Sequence, residues 1–267
     1  MQWVIGVLGA LFVAGAAYRK GSLSLSGMLA AVVMGAIYFG AGNAFWFGIL
    51  LLFFISSSLL SKLKAEHKEE LERSYAKTGR RDAGQVFANG GLGMLLVLLS
   101  AVYPRSEWEL LFVGVMAAVT ADTWATEIGT LSGKPPRSVL TGRKLPTGAS
   151  GGVSLPGTLA AAAGAAMIGA VSWVLQQLAG MQGPSFTALV AAGLLGGLAG
   201  AFADSLLGAT VQQMNRCDVC GREVESGVHC GRPAVHHRGW RWMGNDAVNA
   251  VSSIVGGAVA LLIGGLF

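Results

Sequence analysis

Residues 109–131 read ELLFVGVMAAVTADTWATEIGTL. Wound as an α-helix at 1.5 Å per residue, this segment is about 35 Å long, enough to cross the ~30 Å hydrocarbon core of a bilayer. Its first half is almost wholly apolar. Its second half carries Asp122, Thr123, Thr126, Glu127 and Thr130. A charge near the bilayer centre costs roughly 3 kcal/mol even on a lenient insertion scale. The segment therefore reads as a membrane span that ends in a polar site.

Seven further apolar stretches surround it, at 2–18, 23–41, 43–61, 85–103, 151–177, 185–212 and 244–267. The 267 residues are 53% hydrophobic and only 12% charged, where soluble chains carry about 25% charged residues. That excludes an ordinary soluble enzyme and a disordered chain. The 40 glycines show no three-residue period, which excludes collagen, and a membrane β-barrel would show short alternating segments instead. The first stretch is expected to be a span rather than a signal peptide, because Arg19 and Lys20 follow the apolar run rather than precede it. The expected fold is all-α: one polytopic transmembrane bundle of about eight helices over residues 1–267.

Lys and Arg set the expected orientation. Of the 19, two lie in 18–22, seven in 62–84, four in 132–150 and five in 213–243; Arg105 is the exception. With eight spans these four segments share one side, which the positive-inside rule makes cytoplasmic. Both termini then lie outside an integral cell-membrane protein. Segment 62–84 reads as a charged cytoplasmic helix in which Glu66 and Glu70 pair with nearby cations. Its charge suits membrane lipid headgroups. No basic stretch is interleaved with aromatics, so nucleic acid is not an expected partner.

Polar residues recur within four spans. Gln85 and Asn89 stand four apart in RDAGQVFANGG; Asp122 and Glu127 belong to ADTWATEIGTLSG; Asp204 and Ser205 to AFADSLLGATVQQ; and Asn245, Asp246 and Asn249 to GNDAVNA. All lie near the cytoplasmic ends of their helices. Carboxylates at one depth repel unless a cation joins them, so Asp122, Glu127, Asp204 and Asp246 are candidate ligands of Mg2+. Asn89, Asn245 and Asn249 would give polar support. Asp122 and Glu127 lie about 140° apart on a regular helix, so both reach one site only if glycine-rich surroundings break it.

The loop SGKPPRSVLTGRKLPTGASGGVSLPG spans 132–157. It combines Lys134, Arg137, Arg143 and Lys144 with Thr141, Thr147 and Ser150, and its glycines allow close approach of backbone N–H groups. Gly148–Gly152 is expected to lead into the sixth helix, whose positive end favours an anion. These features suit a phosphate chain, although the soluble P-loop spacing is absent. The segment CDVCGREVESGVHCG, 217–231, holds all three cysteines. Cys217, Cys220 and Cys230 with a histidine, His229 first among the candidates, fit a tetrahedral structural Zn2+ site. Thiolates favour zinc over magnesium.

The ADTWATEIGTLSG, TGRKLPTGASGGVSLPGT, DSLLGATVQ, Cys-segment and NDAVN motifs, in that order over about 80–255, resemble a membrane family long described as of unknown function. That family includes plant phytyl-phosphate kinases and vertebrate transmembrane protein 19. More distantly, the acid, glycine and basic-loop pattern resembles dolichol kinase and phosphatidate cytidylyltransferase. The resemblance implies a CTP-dependent kinase that converts an isoprenoid monophosphate to its diphosphate. The nucleoside triphosphate and the lipid would be its partners. The rival class is a transporter or flippase for a lipid phosphate or ion, which also uses intramembrane acids and broken helices.

Overall fold

The computed structural model describes residues 1–63 and 80–267. Most of the charged segment expected to be helical at 62–84, with Glu66 and Glu70, lies outside the described residues. The helices are α1 (Gln2–Arg19), α2 (Leu25–Ile37), α3 (Ala44–Lys62), α4 (Ala83–Val102), α5 (Glu107–Leu131), α6 (Leu155–Leu178), α7 (Phe186–Thr210) and α8 (Asn245–Gly264). A π turn at Tyr38–Gly42 extends α2. Eight helices among the described residues are long and apolar enough to span a membrane, and they coincide with the eight expected stretches to within four residues at each end.

Several helices begin at side chains that satisfy otherwise orphaned N–H groups. Ser24, Asn43, Ser154 and Ser185 each cap in this way. Asp82 caps α4 in a reciprocal box with Gln85. Asp82 thus fixes the start of the span that carries Asn89.

Helix α5 is the innermost. Phe112 through Ala121 are buried without interruption, as expected of a helix apolar on every face. It packs against α6, α7 and α8, and α7 also packs on both α6 and α8. Small residues let these backbones approach: a Cβ on Gly200 would collide with the Ala118 side chain, and one on Gly256 would meet it at 2.6 Å. The other four helices form an outer layer, with α1 on α2, α2 on α4, and α3 on α5 and α6. Tyr38, Phe45, Trp46 and Phe112 fill the seam between the layers, with the Trp46 and Phe112 rings 4.6 Å apart. The Tyr38 hydroxyl donates to the Gly90 carbonyl at 2.9 Å, so burying it leaves no donor unpaired.

The basic segments meet at one end of this bundle. Lys62 Nζ donates to the Lys20 carbonyl at 2.9 Å, Arg81 N donates to Ser22 O at 3.1 Å, and Ser150 Oγ donates to Gln212 Oε1 at 2.6 Å. The loops at this end contain short strands that apolar periodicity did not reveal. β1 (Arg137–Ser138) pairs antiparallel with β2 (Gly152–Val153). Between α7 and α8, β3 (Met214–Arg216), β4 (Glu223–Val224) and β7 (Val235–Arg238) form a sheet in the order β4-β3-β7, and β5 (Val228–His229) pairs with β6 (Arg232–Pro233). Gly148–Gly152 precedes α6, as the sequence suggested, though not directly. It leads into β2, and α6 starts three residues later because Ser154 caps it.

Candidate active-site cavity

A cavity of about 650 Å³ opens at the basic end, between the outer layer and α5–α8. Asp122 and Asp204 line it from α5 and α7, and Glu225 lines it from the segment after β4. The three carboxylates are near enough to repel one another. Asp204 Oδ2 accepts a hydrogen bond from Ser252 Oγ at 3.3 Å. Gln212 is buried and grips Glu225, with Nε2 donating to Oε1 at 2.9 Å.

Glu127 also lines the cavity, without the helix break that its position seemed to demand. Helix α5 runs unbroken through both acids, and the cavity reaches around it. On the α3 side, Ser61 Oγ donates to Glu127 Oε1 at 2.5 Å. From α8, Asn245 and Asn249 line the cavity, being four residues apart on one face. Asp246, turned about 100° from Asn245, is not among the lining residues. Asn89 lines it from α4, with Nδ2 donating to the Gln85 carbonyl at 2.9 Å.

The glycine-rich loop contributes its backbone and small side chains rather than its cations. Thr147 and Ser150 are in the wall, with Gly148, Gly151 and Gly152. Gly151 has φ +78°, and a Cβ there would lie 2.8 Å from the Ala209 Cα, so only glycine fits this close approach to α7. Lys134, Arg137, Thr141, Arg143 and Lys144 are all exposed and outside the wall. The Arg137 guanidinium donates to the Gly142 carbonyl at 2.9 Å, which bends it back onto its own loop.

Among the described residues, the cations that line the cavity are Lys62, Arg80 and Arg81. Arg81 is fixed most firmly. Its N–H donates to Ser22 O, its carbonyl accepts from Ser24 N at 3.0 Å, and its Nη1 donates to Ser58 Oγ at 3.0 Å. Gly27 permits this, since a Cβ there would fall on the Arg81 carbonyl oxygen. Burial lowers the Arg81 pKa from the ordinary arginine value, and the Glu127 carboxylate opposes that shift. Sequence reasoning missed Ser61 and Glu225, and gave no role to Arg81 or to Gln212, which spacing puts on one helix face with Asp204. The available signals were Arg80-Arg81-Asp82 abutting a polar helix start, and an acid lying between Cys220 and His229.

Cys217, Cys220, His229 and Cys230 come together as the spacing indicated. Their four ligand atoms lie within 4.8 Å of one another. His229 Nδ1 is 3.5 Å from Cys220 Sγ and 3.3 Å from Cys230 Sγ. Such separations suit four donors around one ion with bonds of ~2.0–2.3 Å. The backbone N–H of Cys220, and next the His229 side chain, pull the Cys217 pKa down to about 6. Burial is the main cause that pushes Cys230 up. His236 instead faces the Gly239 carbonyl at 3.1 Å, and His237 pairs with Glu223 at 3.2 Å.

The chain is 30% identical to Protein PGR of Arabidopsis thaliana, over 94% of this chain and 92% of that one. It is 28% identical to an uncharacterized membrane protein of Methanocaldococcus jannaschii, over 90% and 85% respectively. With Protein VTE6, chloroplastic, of Arabidopsis thaliana it shares 26% identity, over 95% of this chain and 68% of the relative. No solved structure matches it. The model of the family described as integral membrane protein DUF92 matches residues 8–257, and the chain belongs to that multi-pass membrane family.

Proposed function

We propose that this protein is a membrane kinase that transfers the γ-phosphoryl group of a nucleoside triphosphate, CTP by resemblance, to an isoprenoid monophosphate. The observation that carries this reading is the single cavity in which Asp122, Asp204 and Glu225 face Arg81 beside a glycine-rich turn. Phosphoryl transfer depends mainly on positioning and on neutralising charge. The positive-inside rule puts the cavity on the cytoplasmic side, where nucleotide is available, with both termini outside.

The acceptor needs no strong base, because a phosphate monoester is already largely ionised near neutral pH. One of its oxygens bonds to the γ-phosphorus as the bond from that phosphorus to the β,γ-bridging oxygen breaks. The products are the lipid diphosphate and the nucleoside diphosphate. Arg81 neutralises phosphate charge, and the amides of Gln85, Asn89, Asn245 and Asn249 orient its oxygens. The turn at Gly148–Gly152 admits a phosphate chain close to the backbone, and the nearby start of α6 favours an anion.

The hard carboxylate oxygens of Asp122, Asp204 and Glu225 fit Mg2+, and Glu127 is within reach of the same space. Mg2+ bound there would supply charge neutralisation for the triphosphate. Asp246 belongs at most to an outer shell. Cys217, Cys220, His229 and Cys230 fit Zn2+, which would hold the loop that carries Glu225.

The test is purified protein with Mg2+, a panel of nucleoside triphosphates and a set of prenyl monophosphates, read by prenyl diphosphate formation. Diphosphate formed with CTP supports the reading. Movement of labelled lipid phosphate across vesicles, with no diphosphate formed under any triphosphate, would favour the transporter reading.

A further inference from the structure

A second, apolar cleft lies within the outer layer, between α1, α2, α3 and α4. Ala14, Ala31, Met34, Leu50, Phe54 and Val86 line it. It shares Arg81, Gln85 and Asn89 with the polar cavity, so these three side chains form the boundary between a charged space and an apolar one. Arg81 faces both. Its guanidinium carbon lies 6.0 Å and 5.7 Å from the Phe53 and Phe54 ring centroids, and the same group donates to Ser58 in the cavity wall. Its backbone is pinned on both sides by Ser22 and Ser24, which fixes the point from which the side chain reaches the boundary.

A pair of spaces joined in this way matches a molecule with one anionic end and one apolar end. We propose that the α1–α4 cleft receives the phosphate-proximal part of the isoprenoid tail, with Arg81 holding the lipid phosphate at the boundary. This inference rests on the kinase reading for the identity of the lipid. The cleft is narrow, about 60 Å³, which suits the leading unit of a single tail. The remainder of the tail leaves between helices into lipid, where extra length costs nothing. The same narrowness disfavours a two-tailed phosphatidate, whose branch point would bring two chains to the mouth of the cleft. The arrangement puts the acceptor phosphate on the α4 side of the cavity and leaves the glycine-turn side for the triphosphate.

The experiment uses full-length protein in nanodiscs and a geranylgeranyl monophosphate carrying a diazirine on its first isoprene unit. Photolabel is expected on cleft residues of α1–α4. Val86→Trp, and separately Leu50→Phe, should cut labelling at least about tenfold, the equivalent of losing two buried methylenes, while the proteins elute as wild type does. Excess unlabelled geranylgeranyl monophosphate should displace the probe, and phosphatidic acid should not. Label confined to α6–α8, or undiminished labelling in both variants, overturns the proposal. So does equal displacement by phosphatidic acid. Label elsewhere with normal diphosphate formation would sink the tail site and spare the kinase reading. Label in the cleft without diphosphate formation would do the reverse.

Discussion

Gln212 and Glu225 are joined by a 2.9 Å hydrogen bond at the edge of the cavity, and the same Gln212 side chain accepts from Ser150 Oγ at 2.6 Å. One buried amide therefore ties the loop that carries the cysteine cluster to the glycine-rich turn. Gln212→Leu keeps the bulk but leaves Glu225 and Ser150 without that partner. Each lost buried hydrogen bond costs about 1–3 kcal/mol. The expected result is a fall in kcat/KM of about 5- to 150-fold, measured by diphosphate formation, with little change in expression or elution. Unchanged kinetics would mean that the link between the two loops has no part in turnover.

Asp122→Asn and Asp204→Asn are each expected to reduce turnover by about 100-fold or more, since an amide keeps the shape but gives up the negative ligand. Glu127→Gln should be milder, because Ser61 already occupies one of its oxygens. Asp246→Asn should be milder still, as Asp246 does not line the cavity. Steady-state assays at several Mg2+ concentrations check this order. The Asp122 and Asp204 variants should also need more Mg2+ for half-maximal rate. Full activity in both would remove them from the site.

The transmembrane part of the site was legible because a membrane helix fixes which residues share a face. Asp122 and Asp204 could be read off their spacing in this way, whereas spacing put Asp246 on one face with Asn249 and it is Asn245 that lines the cavity beside Asn249. Glu127 also reached the cavity, although spacing suggested that a helix break was needed; the cavity's reach around α5 is a property of packing that no single helix encodes. Asp246 was the converse case, one residue from Asn245 and on a different face. The loops were less legible, since their side chains are aimed by long-range pairing. Arg81 reaches the cavity because its backbone pairs with Leu23 across the α1–α2 turn. Glu225 reaches it because β4 pairs with β3. Arg143 and Lys144 lie near the glycine turn in sequence, but the β1–β2 pair leaves their side chains exposed.

That difference reorders the cations. Arg81→Gln should lower kcat/KM by about 10- to 150-fold, the value of a charge-assisted hydrogen bond of ~1.5–3 kcal/mol. Arg81→Lys should recover only part of this, because an ammonium lacks the planar fork that can span Ser58 and a phosphate. Arg143→Ala and Lys144→Ala should stay within about twofold of wild type, as exposed charges whose loss leaves the basic loop on the same side. The readout is the KM for lipid and for nucleotide, with membrane orientation checked by protease accessibility. A large loss in the Arg143 or Lys144 variant, together with a normal Arg81→Gln enzyme, would reverse the assignment.

The cysteine cluster and Glu225 can be separated by paired variants. Protein purified without chelator should contain about one zinc per chain by elemental analysis, and Cys220→Ser should lose most of it. Because metal binding supplies folding free energy to a small loop, the same variant should unfold several degrees lower. Glu225 is held by contacts outside the cysteine cluster: its carbonyl accepts from Asn215 Nδ2 at 3.2 Å, and its carboxylate is gripped by Gln212. Loss of zinc should therefore weaken turnover less than it weakens thermal stability. Glu225→Gln should show the opposite pattern, with normal zinc content, a near-normal unfolding temperature and a sharp drop in kcat. If purified protein holds no zinc and Cys220→Ser unfolds like wild type, the four ligand atoms do not form a metal site. If Glu225→Gln turns over normally, the loop carries no group that the reaction uses.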